Sequence, residues 1–274
     1  MTCFDELVRR TAGPSAGEVR VVFAPHPDDE VLGLGGHLPR WPGTHVVYVT
    51  DGAPNDPEYF EPLGYRQRIE YASARRRESL QALRLAGIGA ERVHELGAAD
   101  QGVCRLLAPL ARRVAGLLAE LQPCAAFAPA YEGGHPDHDG TALAVHASLE
   151  LLRAGQHGTP ALFEYATYHE RDGTLIFGEL LPDETTETLE LYLDPAARDL
   201  KKRMISCHET QLAFLRQASA ALERECVRRT PRYDFRLPPR APFHYDRLDW
   251  GTSGREFLKH ARDALEELGI EGPC

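Results

Sequence analysis

Two short stretches concentrate the side chains that do chemistry. The first is Ala24-Pro25-His26-Pro27-Asp28-Asp29-Glu30, where four ionisable groups fall within five residues directly after an apolar run. Carboxylates this close repel one another unless a proton or a cation intervenes. Imidazole with carboxylate is a good donor set for Zn²⁺ or Fe²⁺. The competing reading is a solvated helix start, where acidic side chains favour the helix dipole and Asp28 or Asp29 serves as a cap. Prolines on both sides of His26 weaken it, because they fix the backbone there. The second stretch is Glu132-Gly133-Gly134-His135-Pro136-Asp137-His138-Asp139. His135 and His138 stand three apart, so both face one point if the segment turns. Asp137 is placed to orient a histidine from behind. A lone histidine is more often a packed or surface residue; two flanking Pro-Asp, reached through Gly-Gly, point to a site.

The elements that must position these residues follow from periodicity. Strands are predicted over Arg20–Ala24, Thr44–Thr50, Arg92–Leu96, Ala125–Ala130 and Leu162–Tyr168. Helices are predicted over Asp28–Trp41, Tyr65–Ala86, Leu106–Leu121 and Asp139–Arg153. Alternating strand and helix over about the first 170 residues implies a Rossmann-like, doubly wound, mainly parallel sheet with helices on both faces. Thr174–Leu181 and Leu189–Leu193 read as strands at an antiparallel edge, Pro195 to about Arg224 as a helix, and the proline-rich Thr230–Pro242 as an extended tail. These C-terminal strands and helix are expected to complete the same α/β domain. The chain therefore reads as one domain over residues 1–274, with a core at about 19–170 and an elaboration at about 171–274. The long loop Asp51–Gly64 exceeds the usual connection length, which suggests a functional role.

Both chemical stretches follow a strand, the first and the fourth. In doubly wound sheets of the common order these strands are neighbours, and their carboxyl ends flank the switch-point crevice. The two clusters can then meet around one metal ion. The glycines of Gly33-Leu34-Gly35-Gly36 invite a dinucleotide-loop reading. They come too late after the strand, and Leu38 stands where the fingerprint needs glycine. Close helix–strand packing explains them better.

With His26-Pro-Asp-Asp-Glu30 and His135-Pro-Asp-His138 together, residues 19–153 resemble the PIG-L/LmbE-like deacetylases, with a fainter likeness at Arg75-x-x-Glu78 and Cys207-His208-Glu-Thr-Gln211. The resemblance implies a zinc-dependent hydrolase that removes acetyl from N-acetylglucosaminyl conjugates. It implies His26, Asp29 and His138 as metal ligands, Asp28 as general base, and His135 as the group that stabilises the oxyanion and protonates the leaving amine. Arg75 and Asp100 match positions that contact the sugar. Which aspartate binds metal comes from the resemblance alone. Tyr131 is near the position of a family tyrosine but not at it, since Gly133 stands two residues before His135. His208 stands out among the other histidines because Gln211 follows one turn later. His146 reads as a packed or capping residue. The run Arg75-Arg76-Arg77 is by default a solvated helix face.

Composition sets the outer limits. A chain of 274 residues with 43% hydrophobic and 26% charged residues can bury a sizeable core. A net charge of −10 argues against a nucleic-acid partner. No window approaches the length of a membrane span, and Met1 to Thr11 lacks the apolar stretch of a signal peptide. The six cysteines form no CxxC pair, which points to reduced thiols and a cytoplasmic address. The leading expectation is thus an N-deacetylase of a small-molecule amino-sugar conjugate, using Zn²⁺ with Fe²⁺ as the alternative. An amidohydrolase for another acyl group or a non-sugar amine is the second reading, and a non-catalytic metal- or carbohydrate-binding protein the third. A homo-oligomer stays open.

Overall fold

The computed structural model describes residues 18–239, 241–248 and 250–274. Cys3 and the segment Met1 to Thr11 lie outside them. The strands are β1 Arg20–Ala24, β2 Thr44–Thr50, β3 Val93–Ala98, β4 Ala125–Pro129, β5 Ala161–Tyr165, β6 Tyr168–Arg171, β7 Thr174–Phe177, β8 Thr188–Tyr192 and β9 Arg224–Arg229. The helices are α1 Asp29–Leu34, α2 Arg68–Leu85, α3 Leu107–Leu121, α4 Pro136–Ala154, α5 Pro195–Ser206, α6 Leu212–Leu215 and α7 Gly254–Glu267. A seven-stranded sheet runs in the order β3-β2-β1-β4-β5-β9-β8. Its first five strands are parallel, and β9 and β8 extend it antiparallel. β6 and β7 form a separate hairpin. This is the doubly wound α/β architecture that the alternation of elements predicts, with β1 and β4 paired side by side through Arg20↔Ala125 to Val22↔Phe127.

Alternation along the strands sends side chains to two cores. Val21, Phe23, Val47 and Ala126 face α3, α4 and α7. Val22, Val46, Tyr48 and Phe127 face α1, α2 and α5. Glycines in and just after α1 serve close packing: a Cβ at Gly33 would stand 2.2 Å from the Tyr165 ring, and one at Gly36 2.5 Å from Leu193. No described helix is long and apolar enough to cross a membrane. The described cysteines are all free thiols.

Several elements depart from expectation. The helix predicted over Asp28–Trp41 is only the six residues of α1; the chain turns at Gly35-Gly36 and continues as a 3₁₀ turn around Pro39. The helix predicted from Tyr65 starts at Arg68, behind a capping box between Gln67 and Glu70. The helix predicted from Asp139 starts at Pro136, where proline at the first position needs no N–H partner. The strand predicted over Leu162–Tyr168 breaks at Ala166-Thr167, and the one over Thr174–Leu181 is shorter, because β6 and β7 pair with each other outside the main sheet. The helix predicted from Pro195 to Arg224 ends at Ser206 and gives way to short turns and then to β9.

β9, Arg-Glu-Cys-Val-Arg-Arg, looks solvated by composition, yet two of its charges, Glu225 and Arg228, are buried and paired. Glu225 accepts from Lys201 Nζ at 2.7 Å and from the Gly36 N–H at 2.7 Å, and stands 2.5 Å from His37 Nδ1. Arg228 donates to Glu164 on β5 and to the Leu181 carbonyl. Helix α7 is unforeseen, although Ser253 and Glu256 make a capping box and Phe257, Ala261, Ala264 and Leu265 form its buried stripe.

Candidate metal centre and active-site pocket

The turn after β1 and the first turn of α4 meet at the carboxyl edge of the sheet. His26 follows β1, and Asp29 opens α1. Asp29 Oδ2 accepts from the His26 backbone N–H at 2.9 Å and lies 3.1 Å from His26 Nδ1. From α4, His138 brings Nε2 to 3.2 Å from the same Asp29 oxygen. All three side chains are buried.

Hydrogen bonds on the far side of each ring decide which nitrogen holds a lone pair. His26 Nε2 stands 3.2 Å from Asp137 Oδ2 and 3.2 Å from Asp100 Oδ1, and against burial these carboxylates and Asp29 raise the imidazole well above its ordinary range. His138 Nδ1 stands 3.0 Å from Thr167 Oγ1, which holds the ring with Nε2 toward Asp29. His138 Nε2 is buried and has no hydrogen-bond partner. Asp29 Oδ2 thus stands about 3 Å from one nitrogen of each ring. Tetrahedral Zn²⁺ with bonds of about 2.0–2.1 Å sets its donors about 3.4 Å apart, so the Asp29–His26 and Asp29–His138 separations suit a divalent ion.

His26, His135 and His138 also bring nitrogens within 4.8 Å of one another, as do His26, Asp100, His135 and Asp137 with their donor atoms. His135 is set apart by its cap role: it is the N-cap of α4, and its Nδ1 accepts from the Asp137 N–H at 3.1 Å. Its Nε2 therefore carries the proton and is a hydrogen-bond donor. Burial, then His26 and His138, holds the His135 imidazole well below its ordinary range. Asp137 reaches behind His26, and its oxygens also accept from the Gln101 N–H at 2.5 Å and the Val103 N–H at 3.0 Å.

Asp28 sits beside this group. Burial raises its carboxyl above the ordinary range, although Arg75 opposes the shift. Arg75 donates to Asp28 Oδ2 at 3.0 Å and to the Gly52 carbonyl, and stands 3.7 Å from Asp100. The solvated-face reading of Arg75-Arg76-Arg77 is therefore corrected at its first member. Arg75 is 3% exposed, whereas Arg76 pairs with Glu95 at the surface. The periodicity of α2 turns one arginine inward and its neighbours out. Asp100, expected to contact sugar, is held ionised against burial by His26, then His135 and Arg75, and it lies between His26 and His135.

These groups floor a cavity of about 200 Å³. Its walls come from Pro54 and Tyr59 of the Asp51–Gly64 loop, Tyr168, Gln211, Phe214 and Trp250. Tyr168 lies 4.9 Å from the His138 ring, and Trp250 4.5 Å from the His135 ring, centroid to centroid. None of these wall residues stands near the two motifs in sequence. Tyr131 points elsewhere: its hydroxyl donates to the Leu237 carbonyl within a cluster of Tyr233, Phe235 and Phe257. His208 is buried beside Arg75, behind the pocket rather than in it, and Gln211 is the member of its motif that lines the cavity. The proline-rich tail Thr230–Pro242 is not part of the lining; the chain beyond it supplies Trp250.

Residues 21–149 match the family model described as "PIG-L: GlcNAc-PI de-N-acetylase". No curated protein matches the chain. Among solved structures, the A40926 pseudoaglycone deacetylase Dbv21 is similar at TM-score 0.59 and 20% identity, over 80% of this chain and 99% of that one. The N,N'-diacetylchitobiose deacetylase of Pyrococcus horikoshii is similar at TM-score 0.52 and 23% identity, over 81% and 89%. GalB, the 4-carboxy-2-hydroxymuconate hydratase of Pseudomonas putida KT2440, is similar at TM-score 0.55 and 18% identity, over 79% and 98%. These likenesses place the fold. The presence of a hydratase beside the deacetylases means that activity must be argued from the site.

Proposed function

We propose, from the PIG-L-family stretch at residues 21–149, that this protein is a metal-dependent hydrolase removing the N-acetyl group of an N-acetylglucosamine-type sugar conjugate. One observation carries the reading: Asp29 Oδ2 lies 3.1 Å from His26 Nδ1 and 3.2 Å from His138 Nε2, with Asp28 and His135 beside it. His26, Asp29 and His138 hold the ion in this reading, Zn²⁺ or Fe²⁺, and Asp137 orients His26. When bound, the ion supplies a Lewis acid and lowers the pKa of a water toward neutrality. Residues 1–274 act as one domain, because β8 and β9 continue the sheet that carries the site.

The chain's own residues divide the proton work. An amide is a poor electrophile and its amine a poor leaving group, so both attack and departure need a proton moved. Asp28 is buried next to the donor set, and its raised carboxyl accepts the proton of the attacking water. Arg75 holds Asp28 in place through the 3.0 Å bond. His135 presents Nε2–H to the oxygen of the acyl carbonyl and stabilises the oxyanion as charge develops there. Its imidazole is held neutral, so it donates a hydrogen bond rather than a full proton. Asp28, now protonated, hands its proton to the departing amine. Acetate and a free amino sugar leave.

The test is acetate release by the purified protein across a panel of N-acetylglucosaminyl conjugates, with and without a chelator. Release that stops on chelation and returns with Zn²⁺ or Fe²⁺ is expected. Chelator-insensitive release overturns the metal reading. Absence of release from every conjugate by metal-loaded protein overturns the deacetylase reading.

A further inference from the structure

The site divides into two parts with different origins. The groups assigned to the reaction lie within residues 21–149, but Tyr168, Gln211, Phe214 and Trp250 lie beyond them. Trp250 is held with care for a residue outside regular structure. The Gly251 carbonyl accepts from Arg105 at 2.7 Å, and Thr252 Oγ1 stands 3.3 Å from Cys104 Sγ. The Gly254 N–H donates to Asp246 at 2.6 Å, and Ser253 then caps α7. The indole lies against the His135 ring, tilted by 44° at 4.5 Å between centroids, and lines the cavity. Tyr59 and Phe214 also line it. A rigid aromatic wall opposite a polar floor suits a ring with an apolar face and hydroxyl edges. The cavity, about 200 Å³, is below the size typical of drug-like sites and has room for one such ring.

The charges of the lining carry a second constraint. Three carboxylates line the cavity, Asp28, Asp29 and Asp100, against one cationic side chain among the described residues, Arg75. Arg75 is already engaged by Asp28, Asp100 and the Gly52 carbonyl. Recognition of a phosphate needs arginines or lysines free to pair with it. The described lining offers none.

We infer that Trp250 is the platform on which the substrate's sugar ring stacks, and that the cavity selects an uncharged N-acetyl aminosugar over one bearing phosphate on that ring. The inference rests on the deacetylase reading for its turnover assay, but not for its binding assay. Metal-loaded wild-type protein and the variants Trp250→Leu and Trp250→Phe are compared on methyl N-acetyl-β-glucosaminide and on N-acetylglucosamine 1-phosphate. Stacking of this kind corresponds to about a five- to tenfold change in affinity. Trp250→Leu is expected to raise KM for the methyl glycoside by about that factor, with kcat within about threefold, and Trp250→Phe to restore most of it. Wild-type kcat/KM on the 1-phosphate is expected to be at least about tenfold lower.

Binding is read separately from intrinsic fluorescence. The chain has two tryptophans, and Trp41 is buried against Phe127. A saturable change on adding the methyl glycoside, lost in Trp250→Leu, therefore reports Trp250. If fluorescence responds and neither sugar is turned over, the platform stands and the deacetylase reading falls. If turnover occurs and KM is indifferent to Trp250→Leu, or the 1-phosphate is the better substrate, this inference falls and the deacetylase reading stands. Neither turnover nor a fluorescence response overturns both.

Discussion

Asp28 and Asp29 are adjacent carboxylates with opposite surroundings, and that difference sets what each is expected to do on mutation. Asp29 faces two imidazoles, and against burial they hold it well below the ordinary carboxylate range. Asp28 faces Arg75, and burial wins. Asp29→Ala should abolish stoichiometric metal binding, read by equilibrium dialysis and metal analysis. Asp28→Asn should retain the metal and lose about 10²–10⁴-fold in kcat. Full metal content in Asp29→Ala would show that another donor set holds the ion. Asp137→Ala, which frees the His26 ring, should weaken metal affinity by about 10–100-fold, measured by competition with a chromogenic chelator. His26, Asp28, Asp29, His135 and His138 were legible in sequence because they cluster in two strand-terminal turns. Asp100, Tyr168, Gln211, Phe214 and Trp250 reach the same cavity from four other segments, and no local pattern marks that meeting.

Among the elements, β9 shows why charge patterning misleads. Its arginines and glutamate resemble a solvated helix face, yet Glu225 joins β9 to Lys201 on α5 and to the turn after α1. Lys201 and Glu225 are both fully buried. Removing one partner leaves an uncompensated buried charge, a loss of about 3–5 kcal/mol. Glu225→Leu should lower stability by that amount in urea unfolding. Adding Lys201→Met should restore a large part of it, since paired removal deletes both charges. A double variant no better than Glu225→Leu would mean that Glu225 acts through Gly36 and His37 instead. The five parallel strands were readable from apolar runs, since both their faces are buried. The two antiparallel strands, and the break between β5 and β6, depend on partners distant in the chain. Helix α7 carried readable signals, the Ser253–Glu256 box and an apolar stripe, that its position after a proline-rich tail obscured.

For the molecule as a whole, two conditions should control stability. An ion that binds the folded chain alone stabilises it by about 3–4 kcal/mol at 100 to 1,000 times its Kd. Chelation should therefore lower the melting temperature of the wild type and leave that of Asp29→Ala unchanged. The second condition is acid. His146 is buried against Tyr233 and Phe235, and burial lowers its pKa from 6.5 to about 4. The unfolded chain then binds a proton that the folded chain refuses, so stability is lost as pH falls below about 6.5 toward 4. At about pH 5 this amounts to about 2 kcal/mol. The stability difference between His146→Phe and wild type should move by that amount in favour of the variant between about pH 7.5 and 5. A pH-independent difference would mean that His146 titrates alike in the folded and unfolded chains.

The separate origin of the reaction groups and the pocket wall has a consequence for how such a protein diversifies. Tyr59 belongs to a connecting loop, and Phe214 and Trp250 to the chain beyond the parallel strands, so none of them lies on an element that carries His26, Asp29 or His138. Substitutions there reshape the cavity without moving His26, Asp29 or His138. Selection for a new acylated substrate can therefore work on three exchangeable positions while the chemistry is inherited intact. A combinatorial library confined to residues 59, 214 and 250 is the smallest one that samples this freedom.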